Sequence, residues 1–131
     1  MIVAGFTGTQ IGMTVRQSAE LARVLMEEKV DEFHHGDCIG ADAQAHEIAY
    51  RQGIKIVIHP PTDPRKRAYC RKHDVIVLPE KPYLVRNHDI VDASNFLIAA
   101  PKNHHEELRS GTWATIRYAR KQNKRVRMLW L

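Results

Sequence analysis

The sequence predicts an α/β domain of three layers, with a mainly parallel sheet whose first strand is central. Strand-like runs alternate with helical periodicity along the whole chain, and that alternation calls for a parallel sheet covered on both faces. Three turns rich in glycine, threonine and aspartate stand where strand-like runs give way to helices: Gly5-Phe6-Thr7-Gly8-Thr9, Gly36-Asp37-Cys38-Ile39-Gly40-Ala41-Asp42 and Ser110-Gly111-Thr112. Ligands of such sheets bind at the carboxyl ends of the strands, near the switch point. A length of 131 residues bounds the chain to one domain, 1–131, with enough core to fold without disulfides or metal.

Each element has a local reason. Met1 to Phe6 opens with an apolar run, and residues 2–6 are read as strand one. Thr14 caps a helix through about Glu28, and Gln17 completes a capping box. Val15, Ala19, Ala22, Leu25 and Met26 are the expected buried stripe of that helix. Strand two is 32–35 and helix two runs from about Gly40 to Gln52, with Gly53 at the left-handed cap position. Ile54 to His59 is strand three, stopped by Pro60-Pro61. Residues 60–82 are irregular, and Val75-Ile76-Val77-Leu78 reads either as a strand or as a packed extended segment. A helix from about Tyr83 to Ala93 precedes the strand Asn95–Ala100. Lys102 to Arg109 is a polar loop, Gly111–Gln122 the last helix, and Arg125–Leu131 the closing strand. No repeat or linker divides the chain.

The three turns hold five of the seven glycines, which points to a bound phosphate. Glycine lets the backbone approach a ligand closely, and the free N–H groups at a helix start attract anions. Thr7, Gly8 and Thr9 are expected to contact phosphate or ribose. Asp37 and Asp42 are expected on ribose hydroxyls, although Asp42 equally suits a helix N-terminus. Cys38 is read as a small buried hydrophobe rather than a nucleophile. The eight histidines show no metal-ligand spacing, and His34-His35 points to opposite faces of its strand, so neither metal nor further cofactor is expected.

The hydrophobic share of 44% and charged share of 27% are ordinary for a soluble globular chain. No apolar run approaches a membrane span, the start does not read as a signal peptide, and two cysteines fit a reducing compartment, so a cytoplasmic location is expected. The net charge of +5 conceals two basic tracts, 65–73 and 117–127, with five and six of the 20 basic residues. These would contact nucleic acid, line a phosphate site and a subunit contact, or simply be solvated.

Gly5-Phe6-Thr7-Gly8-Thr9, Gly36-Asp37-Cys38-Ile39-Gly40-Ala41-Asp42 and the Arg86-Asn87 pair together resemble the SLOG superfamily of Rossmann-like nucleotide binders. That superfamily is named for the DNA-processing protein DprA and the LOG phosphoribohydrolases. Ile90 to Val126 is similar to nucleoside 2-deoxyribosyltransferases, through its Ser-Gly-Thr…Tyr-Ala pattern. The resemblance implies a nucleotide or nucleotide-derived signal as ligand, which the protein senses, carries or sequesters. It implies Gly5, Thr7, Gly8, Thr9, Gly36, Asp37, Gly40, Ala41, Asp42, Arg86, Asn87, Pro101, Ser110, Gly111 and Thr112 as the site, with Arg86 reaching a phosphate. It also implies pairing into a homo-oligomer. Two rivals accompany it: N-glycosidic cleavage of a nucleoside monophosphate, and DprA-like single-stranded DNA binding, for which only weak affinity is expected because Tyr69 and Tyr118 are the sole aromatics among the basic residues. Against the enzyme stands one departure. LOG-type enzymes read Gly-Thr-Xaa-Xaa-Glu here, whereas Gly111-Thr112-Trp113-Ala114 is followed by Thr115. An oxocarbenium-like transition state needs a carboxylate, which a threonine hydroxyl does not replace. Glu106 and Glu107 are the nearest substitutes.

Overall fold

The computed structural model describes residues 1–71 and 73–131; Lys72, in the first basic tract, lies outside them. Six strands, β1 (Val3–Gly8), β2 (Glu32–His35), β3 (Lys55–Ile58), β4 (Ile76–Val77), β5 (Phe96–Ala100) and β6 (Arg125–Met128), form one sheet. Their order is β4-β3-β2-β1-β5-β6, and every ladder is parallel. β1 lies inside the sheet between β2 and β5, and the chain reverses its winding there. The stretch around Val75–Leu78 is resolved as a short edge strand, since Ile76 and Val77 pair with Val57 and Ile58.

Helices α1 (Val15–Glu27) and α2 (Ala41–Arg51) cover one face, α3 (Tyr83–Asp92) and α4 (Gly111–Lys121) the other. The first core joins Leu21, Val24 and Leu25 of α1 and Ala41, Ala45 and Ala49 of α2 to Phe6, Phe33, Ile56 and Ile98. The second joins Val91, Trp113, Ile116 and Ala119 to Leu97 and Ala99. Alternate residues of β5 therefore feed opposite cores, as the two-residue period of a strand requires.

Two expectations are corrected. α1 buries Gln17, Leu21, Val24 and Leu25, while Val15 and Met26 are 88% and 68% exposed and Ala19 is also on the surface. Gln17 can enter the interior because its side-chain amide donates to the Pro101 and Leu129 carbonyls, each at 2.9 Å, and its oxygen completes the capping box with Thr14. Those bonds rotate the helix away from the face that apolarity alone favoured. The first glycine segment is strand rather than turn through Gly8, because Thr7 and Gly8 pair with Ala99 and Ala100 of β5. The turn begins only at Thr9.

Candidate functional site

A cleft of about 580 Å³ opens at the carboxyl ends of β1, β2 and β5. Its floor and walls include Thr7, Gly8 and Thr9, Gly36, Cys38 and Asp42, Arg86, Asn87 and Ile90 of α3, and Ser110, Gly111 and Thr112 at the start of α4. Two strands that run in opposite winding directions from β1 leave this space between their following loops.

Polar groups in the cleft fall into two kinds. Thr7, Asn87 and Thr112 are only 8%, 8% and 7% exposed, yet their side chains hydrogen-bond to no other group among the described residues. None of their polar atoms is sealed from solvent, so all three are open to a ligand or ordered water in the cleft they line. At α4, the Ser110 hydroxyl accepts the Trp113 amide and the Ala114 amide closes on the Ser110 carbonyl. The amides of Gly111 and Thr112 have no partner among the described residues, at the positive end of the helix dipole.

The remaining polar groups are engaged within the protein. In the first turn the Thr9 amide donates to Ala100, the Ile11 amide to the Thr9 hydroxyl and the Gly12 amide to the Thr9 carbonyl. This segment therefore offers a ligand the side chain of Thr7, at the end of β1, more than a nest of turn amides. Arg86 is buried, and its guanidinium donates to the carbonyls of Gly36, His59 and Tyr83 and to Cys38 Sγ. Of its five N–H groups, one on Nη2 is left for a ligand. Asp42 accepts the Gly36 and Cys38 amides on Oδ2, and Oδ1 has no donor among the described residues. Burial pushes its carboxyl up to about 6, against the opposing pull of Arg86 and the two amides.

The other sequence-predicted residues serve the frame. Asp37, at a left-handed φ of 55°, turns its carboxylate to Arg67 and to the Cys70 amide, both at 2.9 Å. Burial acts to raise its carboxyl, but the Cys70 amide and Arg67 together hold it below the usual range. Gly40, at φ 86°, caps α2, and a Cβ there would overlap the Gln10 carbonyl. The Ala41 amide donates to Thr9, the Pro101 carbonyl accepts from Gln17, and Gly5 lies beneath Ser94 and Ile90. Glu107 reaches the cleft, whereas Glu106 pairs with Arg117 at 2.8 Å. Thr115 turns its hydroxyl back to the Gly111 carbonyl at 2.8 Å. Sequence reading missed Tyr83, Asp63, Lys66, Lys102 and Arg109, which also line the cleft. Lys66 belongs to the first basic tract, and Tyr83 begins a helix straight after Pro82, so both left a signal.

Five cations of the two basic tracts pair with carboxylates among the described residues. Arg65 pairs with Asp63, Arg67 with Asp37 and Glu80, and Arg71 lies over the Tyr50 ring. In the second tract Arg125 and Arg127 pair with Glu28, Arg117 with Glu106, and Lys124 caps the last carbonyls of α3. Among the described residues, His35, His46 and Cys70 bring donor atoms within 4.8 Å of one another. The Asp37 amide donates to His35 Nδ1, however, so Nε2 carries the proton and donates to His46 at 2.9 Å. A histidine ligand has the opposite arrangement, its second nitrogen acting as donor, so the donor set does not fit a cation.

No protein-family model and no curated protein matches the chain by sequence. Solved structures do match in three dimensions. The molybdenum cofactor binding protein from the phototrophic bacterium Rippkaea orientalis superposes with a TM-score of 0.75 at 18% identity, over 99% of this chain and 77% of its own. DNA processing protein A (DprA) from Streptococcus pneumoniae gives 0.72 at 17% identity, over 98% of this chain and 50% of its own. The chain shares the fold of both proteins. The Moco Carrier Protein from Chlamydomonas reinhardtii shares this fold, with a TM-score of 0.65 at 19% identity, over 99% of this chain and 77% of its own. The chain thus spans half of DprA and about three quarters of the two molybdenum-cofactor proteins. No helix among the described residues is long and apolar enough to cross a membrane.

Proposed function

We propose that the cleft binds a free nucleotide or a nucleotide-derived small molecule and that the protein senses, carries or sequesters it. The observation that carries this reading is that Thr7, Asn87 and Thr112, whose side chains bond to no other described residue, line the same cleft as the free amides at the start of α4. In this arrangement the Gly111 and Thr112 amides hold a phosphate, Asp42 Oδ1 accepts from a sugar hydroxyl, and Arg86 contributes its remaining N–H. Ligand binding is also what the neighbours' names record: the molybdenum cofactor for the Rippkaea orientalis protein, and single-stranded DNA for DNA processing protein A from Helicobacter pylori, which matches with a TM-score of 0.66 at 19% identity. Native mass spectrometry of the purified protein should find a retained nucleotide-like mass together with a homo-oligomeric subunit count. Thr112→Val and Asn87→Ala should each weaken titration-calorimetric binding of that ligand roughly tenfold, the value of one or two hydrogen bonds. Folded variants with wild-type affinity would overturn the reading.

Glycosidic cleavage is favoured by one observation, the presence of Glu107 in the cleft. With Thr115 bonded back to its own helix, little or no free base should be released from nucleoside monophosphates. Robust release that Glu107→Gln abolishes would reverse this ranking. DprA-like binding of single strands has less support, because Arg117, Arg125 and Arg127 already pair with carboxylates.

A further inference from the structure

Charge at the mouth of the cleft is unevenly matched. Beside the buried Arg86, three exposed cations line it, Lys66 from the β3–β4 connection and Lys102 and Arg109 from the β5–α4 connection. Two carboxylates of the same loops line it as well, but each has its own partner. Asp63 pairs with Arg65 at 3.0 Å, and Glu107 faces Asn103 at 3.1 Å and Lys102 at 3.8 Å. Lys66 and Arg109 are exposed and have no carboxylate partner among the described residues. They belong to separate connections and to the same cleft as the free amides of Gly111 and Thr112.

A single phosphate seated at the α4 N-terminus fills the positive end of that helix and leaves two unmatched cations at the mouth. Resting on the nucleotide reading above, we propose that the ligand carries two linked anionic groups, a pyrophosphate as in a nucleoside diphosphate or a dinucleotide. The inner phosphoryl group lies on the Gly111 and Thr112 amides with the Thr112 hydroxyl. The outer one is held between Lys66 and Arg109, the arginine offering a planar fork that matches phosphoryl oxygens. The cleft volume, about 580 Å³, is in the range that encloses ligands of nucleotide size. Both cations are on the surface, and the main-chain bond from the Ile39 amide to the Lys66 carbonyl does not depend on its side chain.

The test compares orthophosphate with pyrophosphate, and AMP with ADP, by titration calorimetry on the full chain. The inorganic pair removes dependence on the unidentified base. Pyrophosphate and ADP should bind at least about tenfold tighter than their single-phosphate counterparts, the effect of one charge-assisted hydrogen bond. In the Lys66→Gln/Arg109→Gln variant that difference should vanish, with circular dichroism reporting an unchanged fold. If wild type binds one and two phosphates equally and Gly111→Val abolishes both, the inference fails while the nucleotide reading stands. If Gly111→Val leaves all binding intact, or nothing binds, both fail.

Discussion

Arg86 explains Gly36 more directly than any ligand does. A Cβ on Gly36 would overlap the Arg86 guanidinium and approach Asp42 Oδ2 to 3.0 Å, so the glycine is needed where the arginine passes beneath β2's end. The guanidinium in turn gathers carbonyls from Gly36, His59 and Tyr83, tying α3 to the ends of β2 and β3. Gly36→Ala should therefore expel the guanidinium and strand those carbonyls, destabilising the fold by about 2 kcal/mol in urea denaturation. In an Arg86→Met background the same substitution should cost much less, since the partners are then already parted. Equal costs in both backgrounds would show that Gly36 and Arg86 do not act as a pair. Sequence reading found both residues but assigned them to the ligand, because a glycine beside a cavity and a glycine beneath a side chain look the same in one dimension.

Helix starts decide which glycine substitutions test binding. Gly8 faces α2, and a Cβ would stand 2.5 Å from that of Ala41. Gly111 opens α4 with only the Tyr83 ring near its Cβ position, at 3.5 Å. Gly8→Val is expected to lower Tm markedly by prising α2 from β1, with the overpacking cost of roughly 1–3 kcal/mol. Gly111→Val should leave Tm nearly unchanged and remove ligand binding, because its side chain enters the cleft beside the free amides. Thermal melts paired with calorimetry separate the two outcomes. A stable Gly8→Val protein would show that α2 can shift on β1 and that the glycine serves the ligand after all. The two turns read as equivalent in sequence; only the packing of α2 and α4 tells them apart.

For the whole molecule, buried titrating groups set the response to acid. Burial pushes His35 down to about 3 and His59 to about 4, from an ordinary 6.5. Both are neutral in the folded state, and both take up protons on unfolding as pH falls below 6.5, which favours the unfolded chain. Asp42 acts oppositely: its carboxyl is raised from 3.8 to about 6, so its stabilising effect is present at low pH and is lost as pH rises through 6. Two depressed histidines outweigh one raised carboxyl, so Tm should fall as pH drops from about 6.5 to 4. Scanning calorimetry across that window checks the sign, and a rising Tm would assign control to Asp42. His35 and His59 had no such signal in the sequence. Their burial follows from β2 and β3 lying side by side, with His34 Nδ1 bonded to His59 Nε2 at 2.7 Å and His35 to His46.

The sequence by itself determined the alternation of strands and helices, the Thr14–Gln17 capping box, the left-handed Gly53 at the end of α2 and the opposite facing of His34 and His35. These are local, set by backbone torsions and periodicity within a few residues. It also determined which loops would meet, because a parallel sheet sends every such loop to one edge. Tertiary structure alone decided the rest. It turned α1 onto Gln17, whose amide is buried only because Pro101 and Leu129, just past the ends of β5 and β6, supply acceptors. It sent Asp37 toward Arg67 and away from the cleft, and it left the side chains of Thr7, Asn87 and Thr112 without partners among the described residues. Whether a polar side chain is satisfied or free depends on neighbours dozens of residues away, and no local pattern carries that information.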